Sequence, residues 1–146
     1  MASLYNSEGY FSPTEYEALK RVEREERAAE KSAAFHPIVY ICSPYSHGCI
    51  NTNIENARKY SRFAVDKHYL PITPHIYFTQ FMDDTVSEER ETAIFMNFVL
   101  MSKCVELWVF GDTISAGMKA EIERAERKHM KIRYFTEELE EKKCEI

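Results

Sequence analysis

A serine and a glutamate at the start of one predicted helix are spaced so that they could hold a small anionic ligand. Val105 to Phe110 is an apolar run broken only by Glu106, with aromatic and β-branched residues, and it predicts a buried strand. Ser115 follows a Gly-Asp turn and is a good helix cap. Glu121 lies about 9 Å further along that helix, at a rise of about 1.5 Å per residue. A ribose 5-phosphate contacted at both ends fits this span.

A second predicted strand should bring its own polar loop to the same place. Ile38 to Cys42 is short, apolar and β-branched, which is typical of a central parallel strand. Parallel sheets bind ligands outside the carboxyl ends of their strands, where free helix N–H groups attract anions. The candidate site residues at these two strand ends are Tyr40, Ser43, Pro44, Tyr45, Ser46, His47, Asp112, Ser115, Gly117 and Glu121.

The predicted crevice offers hydroxyls, N–H groups, aromatic faces and one carboxylate. It lacks a G-x-G-x-x-G run and a Walker loop, which disfavours a dinucleotide dehydrogenase and a P-loop NTPase. No local motif assembles a Ser-His-Asp triad, and the histidines and cysteines lack metal-ligand spacing, so no metal or cofactor is expected. The chemistry that remains is cleavage of an N-glycosidic bond, in which a glutamate attacks the anomeric carbon or stabilises an oxocarbenium-like transition state. A second polar group must then hold the glutamate or handle the leaving base.

The elements that position these residues alternate along the chain. Four helices and four strands in strict alternation predict an α/β fold: an open parallel sheet of about four to five strands with helices on both faces, Rossmann- or flavodoxin-like, plus an N-terminal helix. Leu70 to Thr73 contains a proline and should form an edge strand, and Lys131 to Phe135 should form the last strand. The expected division is an arm and helix at 1–36, the α/β domain at 37–136 and an acidic, frayed tail at 137–146.

A proline and several polar residues mark the predicted helix starts. Pro13 should open the N-terminal helix. Asn51 or Thr52 should cap the helix after the first strand, and Ser87 should cap the next long helix. Pro74 to Met82 is rich in aromatic residues and is either a short helix or a loop over the sheet. Its aromatic side chains belong either to the core or to a wall on which a base stacks.

The segment from Ala93 to Met101 is apolar nearly all round the predicted helix. Such a helix is either buried or shared with a partner chain. Because one sheet face cannot cover so much apolar surface, we expect a homo-oligomer, either a dimer or a tetramer.

The bulk composition narrows the possible partners and the cellular location. The net charge is −5 and the basic residues are scattered, so a nucleic-acid polymer is not an expected partner. No apolar run is long enough for a membrane span, and the N-terminus is unlike a signal peptide. The cysteines show no C-x-x-C spacing, which favours reduced thiols in the cytoplasm.

Two motifs together resemble the nucleoside 2-deoxyribosyltransferase superfamily. They are Tyr40-Ile41-Cys42-Ser43-Pro44 and Ser115-x-Gly117-x-x-x-Glu121. Relatives in that superfamily include 2′-deoxynucleoside 5′-phosphate N-hydrolases. The sequence from Tyr40 to Phe135 is most similar to an uncharacterised bacterial and phage branch. The resemblance implies a small-molecule nucleoside or nucleotide as the substrate.

The resemblance also implies a role for each matching residue. Glu121 matches the catalytic glutamate, and Tyr40 matches a tyrosine near it. Ser115 matches a serine that binds the 5′-phosphate in the hydrolases, and Gly117 falls where the helix start must let a ligand approach. These roles make nucleoside or nucleotide N-glycosidic cleavage, or deoxyribosyl transfer, the leading hypothesis.

Two positions depart from the pattern of the superfamily. An aspartate on the preceding helix, which would act with the glutamate, corresponds to Asn97, and an arginine of the first loop corresponds to Ser46. An amide can hydrogen-bond but cannot ionise near neutral pH. The departures imply an altered substrate, slow turnover, or a nucleotide-binding protein without catalysis, such as a sensor or a sequestering protein for a nucleotide signal.

Each candidate also has a purely structural interpretation. Glu121 could be a carboxylate that faces solvent on the helix surface, and Asn97 could be a satisfied polar group of the core. His47 and His75 are interpreted as loop residues whose hydrogen bonds are satisfied locally.

Overall fold

The computed structural model of the 146-residue chain describes residues 13–34 and 36–143. The chain divides into two units, Met1–Phe35 and His36–Ile146. In the first unit, helix α1 spans Pro13–Ala34 and begins at Pro13, as predicted, because a proline suits the first turn of a helix. The predicted arm, Met1 to Ser12, lies outside the described residues.

The second unit is built on a four-stranded parallel sheet. Its strands are β1 (Ile38–Cys42), β2 (Leu70–Ile72), β3 (Glu106–Phe110) and β4 (Lys131–Phe135). The strand order is β2-β1-β3-β4, and every neighbouring pair is parallel. The predicted fold class is therefore confirmed, with β1 and β3 as central neighbours and β2, which contains Pro71, at an edge.

Helices cover both faces of this sheet. They are α2 (Ile50–Asp66), α3 (Pro74–Tyr77) with a 3₁₀ turn at Phe78–Gln80, α4 (Ser87–Met101) and α5 (Ala116–Arg127). Because successive strand residues point to opposite faces, β1 supplies both cores. Tyr40 and Cys42 pack with α5 and the end of α4, whereas Val39 and Ile41 pack with α2.

The predicted side-chain caps of α2 and α4 are wrong. Asn51 and Thr52 lie inside the first turn of α2, and Cys49 occupies the cap position. Helix α4 begins at Ser87 itself, after Val86. Neither cap residue accepts a hydrogen bond through its side chain, so the loops that enter the helices set both starts.

The chain from the end of β4 to Lys143 is held in place by hydrogen bonds. The prediction of a frayed tail is therefore wrong for these residues. The backbone N–H of Lys142 donates to the carbonyl of Tyr134 at 2.7 Å, which holds this segment against β4. Arg133 donates to both carboxylate oxygens of Glu141, at 2.9 and 2.8 Å. One acidic residue of the tail, Glu141, therefore has a basic partner on the last strand.

Helix α4 is not buried in the single chain. Met101 is its only buried residue, while Phe95 is 67% exposed and Ile94 and Val99 are also exposed. Only the last turns of α4, at Phe98 and Met101, reach the core. The alternative, that this helix is shared with a partner chain, stays a prediction. Within the described ranges, no helix combines the length and apolar composition that a membrane span requires.

Candidate active site

The carboxyl ends of β1 and β3 open into a cavity of about 410 Å³, a size at which proteins bind small molecules. Its walls come from the loop after β1, from α3 and α4, and from the start of α5. The structure thus brings the two predicted loops together at one crevice. The predicted site residues that line it are Ser43, Tyr45, Ser46, His47, Asn97, Ser115, Gly117 and Glu121.

Three predicted site residues do not line the cavity. Tyr40 is fully buried beneath it, and Pro44 is half-buried beside it. The Asp112 side chain is 88% exposed and pairs with the Lys142 ammonium at 2.8 Å. Gly111 has a φ of 94°, which favours glycine, and this turn directs Asp112 outward. Asp112 is therefore outside the cavity, contrary to its predicted place.

Glu121 is held at the cavity wall by β1. Its side chain is half-buried on α5, and the Tyr40 hydroxyl donates to its Oε1 at 3.1 Å. The Cys42 thiol faces the same carboxylate. The structure therefore contradicts the interpretation of Glu121 as a carboxylate that faces solvent.

Burial tunes the ionisation of this pair. Desolvation raises the pKa of Glu121 to about 7, although hydrogen bonds from Cys42 and Tyr40 act in the opposite direction. Burial, with the negative charge of Glu121 beside it, raises the pKa of Tyr40 well above its ordinary value. Tyr40 thus stays protonated and can donate, while Glu121 exchanges its proton near neutral pH, as catalytic carboxyls do.

Tyr40→Phe should raise the pKa of Glu121 further, because the lost hydrogen bond favours the charged carboxylate. A net hydrogen bond of about 1 kcal/mol corresponds to somewhat under one pH unit. NMR titration of protein with ¹³C-labelled glutamate side chains measures the midpoint. Tyr60→Phe is the control, since Tyr60 packs on the other sheet face. A midpoint that is unchanged or lower in Tyr40→Phe contradicts the prediction.

The start of α5 faces the cavity. The Ser115 Oγ accepts from the backbone N–H of Met118 at 3.3 Å, so the predicted cap is confirmed. Ser115, Ala116 and Gly117 all line the cavity, so the positive end of the helix dipole is directed toward it. A Cβ built on Gly117 would meet no atom within 4 Å. This glycine therefore leaves space open instead of making a packing contact.

Asn97 presents an unsatisfied amide to the cavity. It lines the wall from α4, and its Oδ1 is buried with no hydrogen-bond partner among the described residues. Buried polar atoms are nearly always paired, so Asn97 is not the satisfied core residue that was one interpretation. The amide can accept a hydrogen bond from a ligand.

His75 lines the cavity and was missed as a site residue. Its Nε2 lies 2.9 Å from the Ser43 Oγ, across the strand end. The sequence predicted that the His75 ring would form its hydrogen bonds within its own loop. This prediction is wrong, because its partner, Ser43, is 32 residues away. Burial lowers the pKa of His75 to about 4, so the ring is neutral near pH 7. No local pattern in the sequence identifies this pairing.

Charged and aromatic residues from other segments also reach the cavity. Asp84 and Arg90 line it near the start of α4, and Phe78 lines it from the 3₁₀ turn. Tyr77 and Phe81 are about 60% exposed and pack edge-on against each other. Of that aromatic run, Phe78 is the ring that forms part of the cavity wall. Among the described residues, no cluster of His, Cys, Asp and Glu is arranged to hold a metal ion.

The sequence matches one family model over most of the second unit. The model describes a domain of unknown function, DUF7768, and it matches residues 37–135. The chain belongs to the DUF7768 family. No curated protein matches the sequence.

The DUF7768 domain is similar in fold to a solved enzyme structure. A 2-deoxyribosyltransferase from the psychrotolerant bacterium Bacillus psychrosaccharolyticus superposes with a TM-score of 0.57, covering 68% of this chain and 72% of that chain. The sequence identity is 13%, so the likeness shows the fold alone. The α/β fold that the sequence predicted is thus shared with this enzyme, and membership of the nucleoside 2-deoxyribosyltransferase superfamily stays a prediction. Membership of the bacterial and phage branch stays a prediction.

Proposed function

We propose that this protein cleaves the N-glycosidic bond of a nucleoside or nucleotide, passing the sugar to water or to another base. The observation that carries the proposal is the Glu121 carboxylate at the cavity wall, with the Tyr40 hydroxyl at 3.1 Å. A carboxylate in this position can attack the anomeric carbon or stabilise the positive charge that develops there. The 2-deoxyribosyltransferase fold is consistent with this chemistry, and that neighbour is described as a biocatalyst for nucleoside synthesis.

The remaining cavity residues would each bind a different part of the ligand. Ser115, Gly117 and the free N–H groups of α5 would hold the 5′ end of the sugar. Arg90 would supply positive charge for a phosphate, since its guanidinium offers several donors. Asn97 would hydrogen-bond a hydroxyl or a base through its unpaired oxygen.

The proposal is tested with a panel of ribonucleosides, deoxyribonucleosides and their monophosphates. Free base is measured by chromatography, with and without a second base as acceptor. We expect base release from at least one compound, and a new nucleoside if the sugar is transferred. A panel from which no base is released overturns the proposal.

Asn97 favours a second candidate function, which is nucleotide binding without turnover. The resemblance placed an ionisable aspartate where this chain has an amide, and an amide binds but does not transfer a proton. A sensor or a sequestering protein needs no more than binding. This function predicts a rise in melting temperature with one nucleotide that is recovered intact. Release of free base contradicts it.

We further propose that the chain assembles as a dimer or tetramer through α4. Phe95→Glu should convert the assembly to monomers, because it would bury a charge where an exposed phenylalanine meets the partner. Light scattering coupled to gel filtration measures the mass. Val65→Glu is the control, since Val65 is also an exposed apolar residue and lies on α2. A monomeric parent protein contradicts the prediction.

We place the protein in the cytoplasm. Cys42 and Cys104 are buried free thiols and Cys49 is an exposed one, which is usual in reducing compartments. The net charge of −5 argues against a nucleic-acid polymer as partner.

A further inference from the structure

The cavity wall holds a pair of functional groups in addition to Glu121, which the buried Tyr40 supports from behind. The His75 Nε2 lies 2.9 Å from the Ser43 Oγ, and both residues line the cavity. Pro74 starts α3 and is buried, so His75 is held on a short helix and not on a free loop. The chemistry proposed for Glu121 does not use this pair.

Strand β1 and the residue that follows it contribute one member to each pair. Tyr40 and Cys42 face Glu121, and Ser43 follows directly at the strand end. Ser43, His75 and Glu121 all line the same cavity, so one ligand bound there can contact both Glu121 and the Ser43–His75 pair.

The proposed reaction needs a base besides Glu121. The group that accepts the sugar, whether water or a base with an N–H, must lose a proton as it bonds to the anomeric carbon. Glu121 cannot take that proton while its oxygen is bonded to the same carbon. Asn97 cannot take it either, because an amide does not ionise near neutral pH.

We propose that the Ser43–His75 pair is the general base that deprotonates the acceptor. The inference rests on the proposed N-glycosidic function. In the tautomer with the proton on Nδ1, the free Nε2 accepts the Ser43 hydroxyl. The acceptor then gives its proton to the Ser43 Oγ while Ser43 passes its own proton to Nε2.

The step balances with water as the acceptor. The water oxygen bonds to the anomeric carbon, and the bond from that carbon to Glu121 breaks with its electron pair returning to the carboxylate. One water proton passes through Ser43 to His75, and the imidazolium then releases a proton to solvent. The other proton stays on the new sugar hydroxyl.

The ionisation of His75 supports this role. Burial lowers its pKa to about 4, so the ring is present as the neutral base throughout the physiological range. Its basicity is then close to that of an ordinary aspartate, whose pKa is about 3.9. The neutral ring adds no negative charge beside Glu121. His75 thus offers from α3 the basicity of a carboxylate, whereas on α4 this chain has Asn97 where the resemblance implies an aspartate.

His75→Gln separates this role from a structural one when azide is added. With a cleavable substrate from the panel, the variant should release about one equivalent of base quickly and then turn over about 10²-fold more slowly than the parent. Azide attacks carbon without losing a proton, so it should restore turnover at least tenfold. The product should be a glycosyl azide with the configuration of the substrate, because the anomeric carbon is inverted twice: once when Glu121 displaces the base and once when azide displaces Glu121.

Two further variants keep the test clear. Ser43→Ala removes the relay hydroxyl with a smaller change, and it should show the same slow turnover and the same rescue by azide. If circular dichroism shows that His75→Gln is unfolded, the Ser43→Ala variant is used for the test instead. His68→Asn is the matched control: His68 is exposed, lies outside the cavity, and has a φ of 66° that asparagine tolerates. It should match the parent with and without azide.

The outcomes are distinct. Slow turnover restored by azide supports the inference. If folded His75→Gln and Ser43→Ala hydrolyse the substrate at the parent rate, the inference is overturned. It is also overturned if the rate of hydrolysis falls and azide does not restore turnover. A parent protein that releases no base from any compound overturns the proposed function itself, and the inference with it.

Discussion

Glu121→Gln should lower the rate of base release by about 10³-fold or more, the scale of removing a group that acts at the reacting atoms. Glutamine keeps the shape of the side chain and can still accept from Tyr40, whose hydroxyl lies 3.1 Å from Oε1. It cannot form a bond to the anomeric carbon or carry the negative charge that stabilises an oxocarbenium ion. Initial rates measured by chromatography, on the substrate the panel identifies, give the ratio.

Glu123→Gln is the matched control for this experiment. Glu123 lies on the same helix, is exposed and does not line the cavity. The same change of charge there should leave the rate unchanged. If Glu121→Gln releases base as fast as the parent on every compound cleaved, Glu121 is not the group at the anomeric carbon. The Tm of both variants, measured alongside, excludes unfolding as the cause.

The central strands were predictable because complete burial leaves a local signature. Every residue of β3 is buried, and so is every residue of β1 after Ile38. A strand covered on both faces is apolar along most of its length, with Glu106 the one charged residue of these two strands, and such a run is visible without knowing what covers it. The start of α5 was predictable for a similar reason, since Ser115 bonds only three residues ahead.

The start of α2 was missed because hydrogen bonds to the preceding loop, which lies outside the helix, contribute to it. Inside the first turn of α2, the Asn53 amide donates to the carbonyls of Tyr45 and His47 at 2.7 and 2.8 Å. These bonds tie the loop after β1 to the helix, which begins one residue before the predicted caps. Cap preferences describe one helix end in isolation and do not contain such bonds.

Some residues of the candidate site were likewise predictable from local sequence, and others were not. Ser115, Gly117 and Glu121 come from one segment, so their spacing was readable in the sequence. His75 and Arg90 reach the cavity from two other segments, and each looks like an ordinary helix residue in its own neighbourhood. The bond between Tyr40 and Glu121 spans 81 positions and was expected only because the motif resembled a known family.

The acidic composition of the tail led to the wrong prediction that this segment is frayed. The segment from Thr136 to Lys143 is polar and acidic, which indicates solvation. Its order comes from pairing: Arg133 binds Glu141, and Lys142 reaches both Asp112 and the carbonyl of Gly111. Complementary charges on separate segments can be recognised only when the fold brings the segments together.

Glu121→Gln should also stabilise the folded protein, but only at neutral and alkaline pH. The pKa of Glu121 is about 7 in the folded chain and near its ordinary value of 4.5 in the unfolded chain. Below pH 4.5 both states hold the proton, and burial of the neutral carboxyl carries no ionisation penalty. As the pH rises from 4.5 to 7, the unfolded state loses its proton first, so the free energy of unfolding falls. Above pH 7 the full penalty is present.

Glutamine never ionises, so the variant escapes this penalty. The difference between variant and parent should approach a value on the order of 3 kcal/mol at pH 8, which is roughly 10 °C in Tm, and should vanish near pH 4.5. Thermal unfolding of parent, Glu121→Gln and Glu123→Gln across this range measures it, with the exposed Glu123 variant following the parent. A difference that does not depend on pH would mean that the carboxylate ionises as freely in the fold as in water. Such a carboxylate would be solvated, and the proposed function would lose the observation that carries it. The same buried charge that should make Glu121 reactive is thus measurable as a cost to folding, without any substrate.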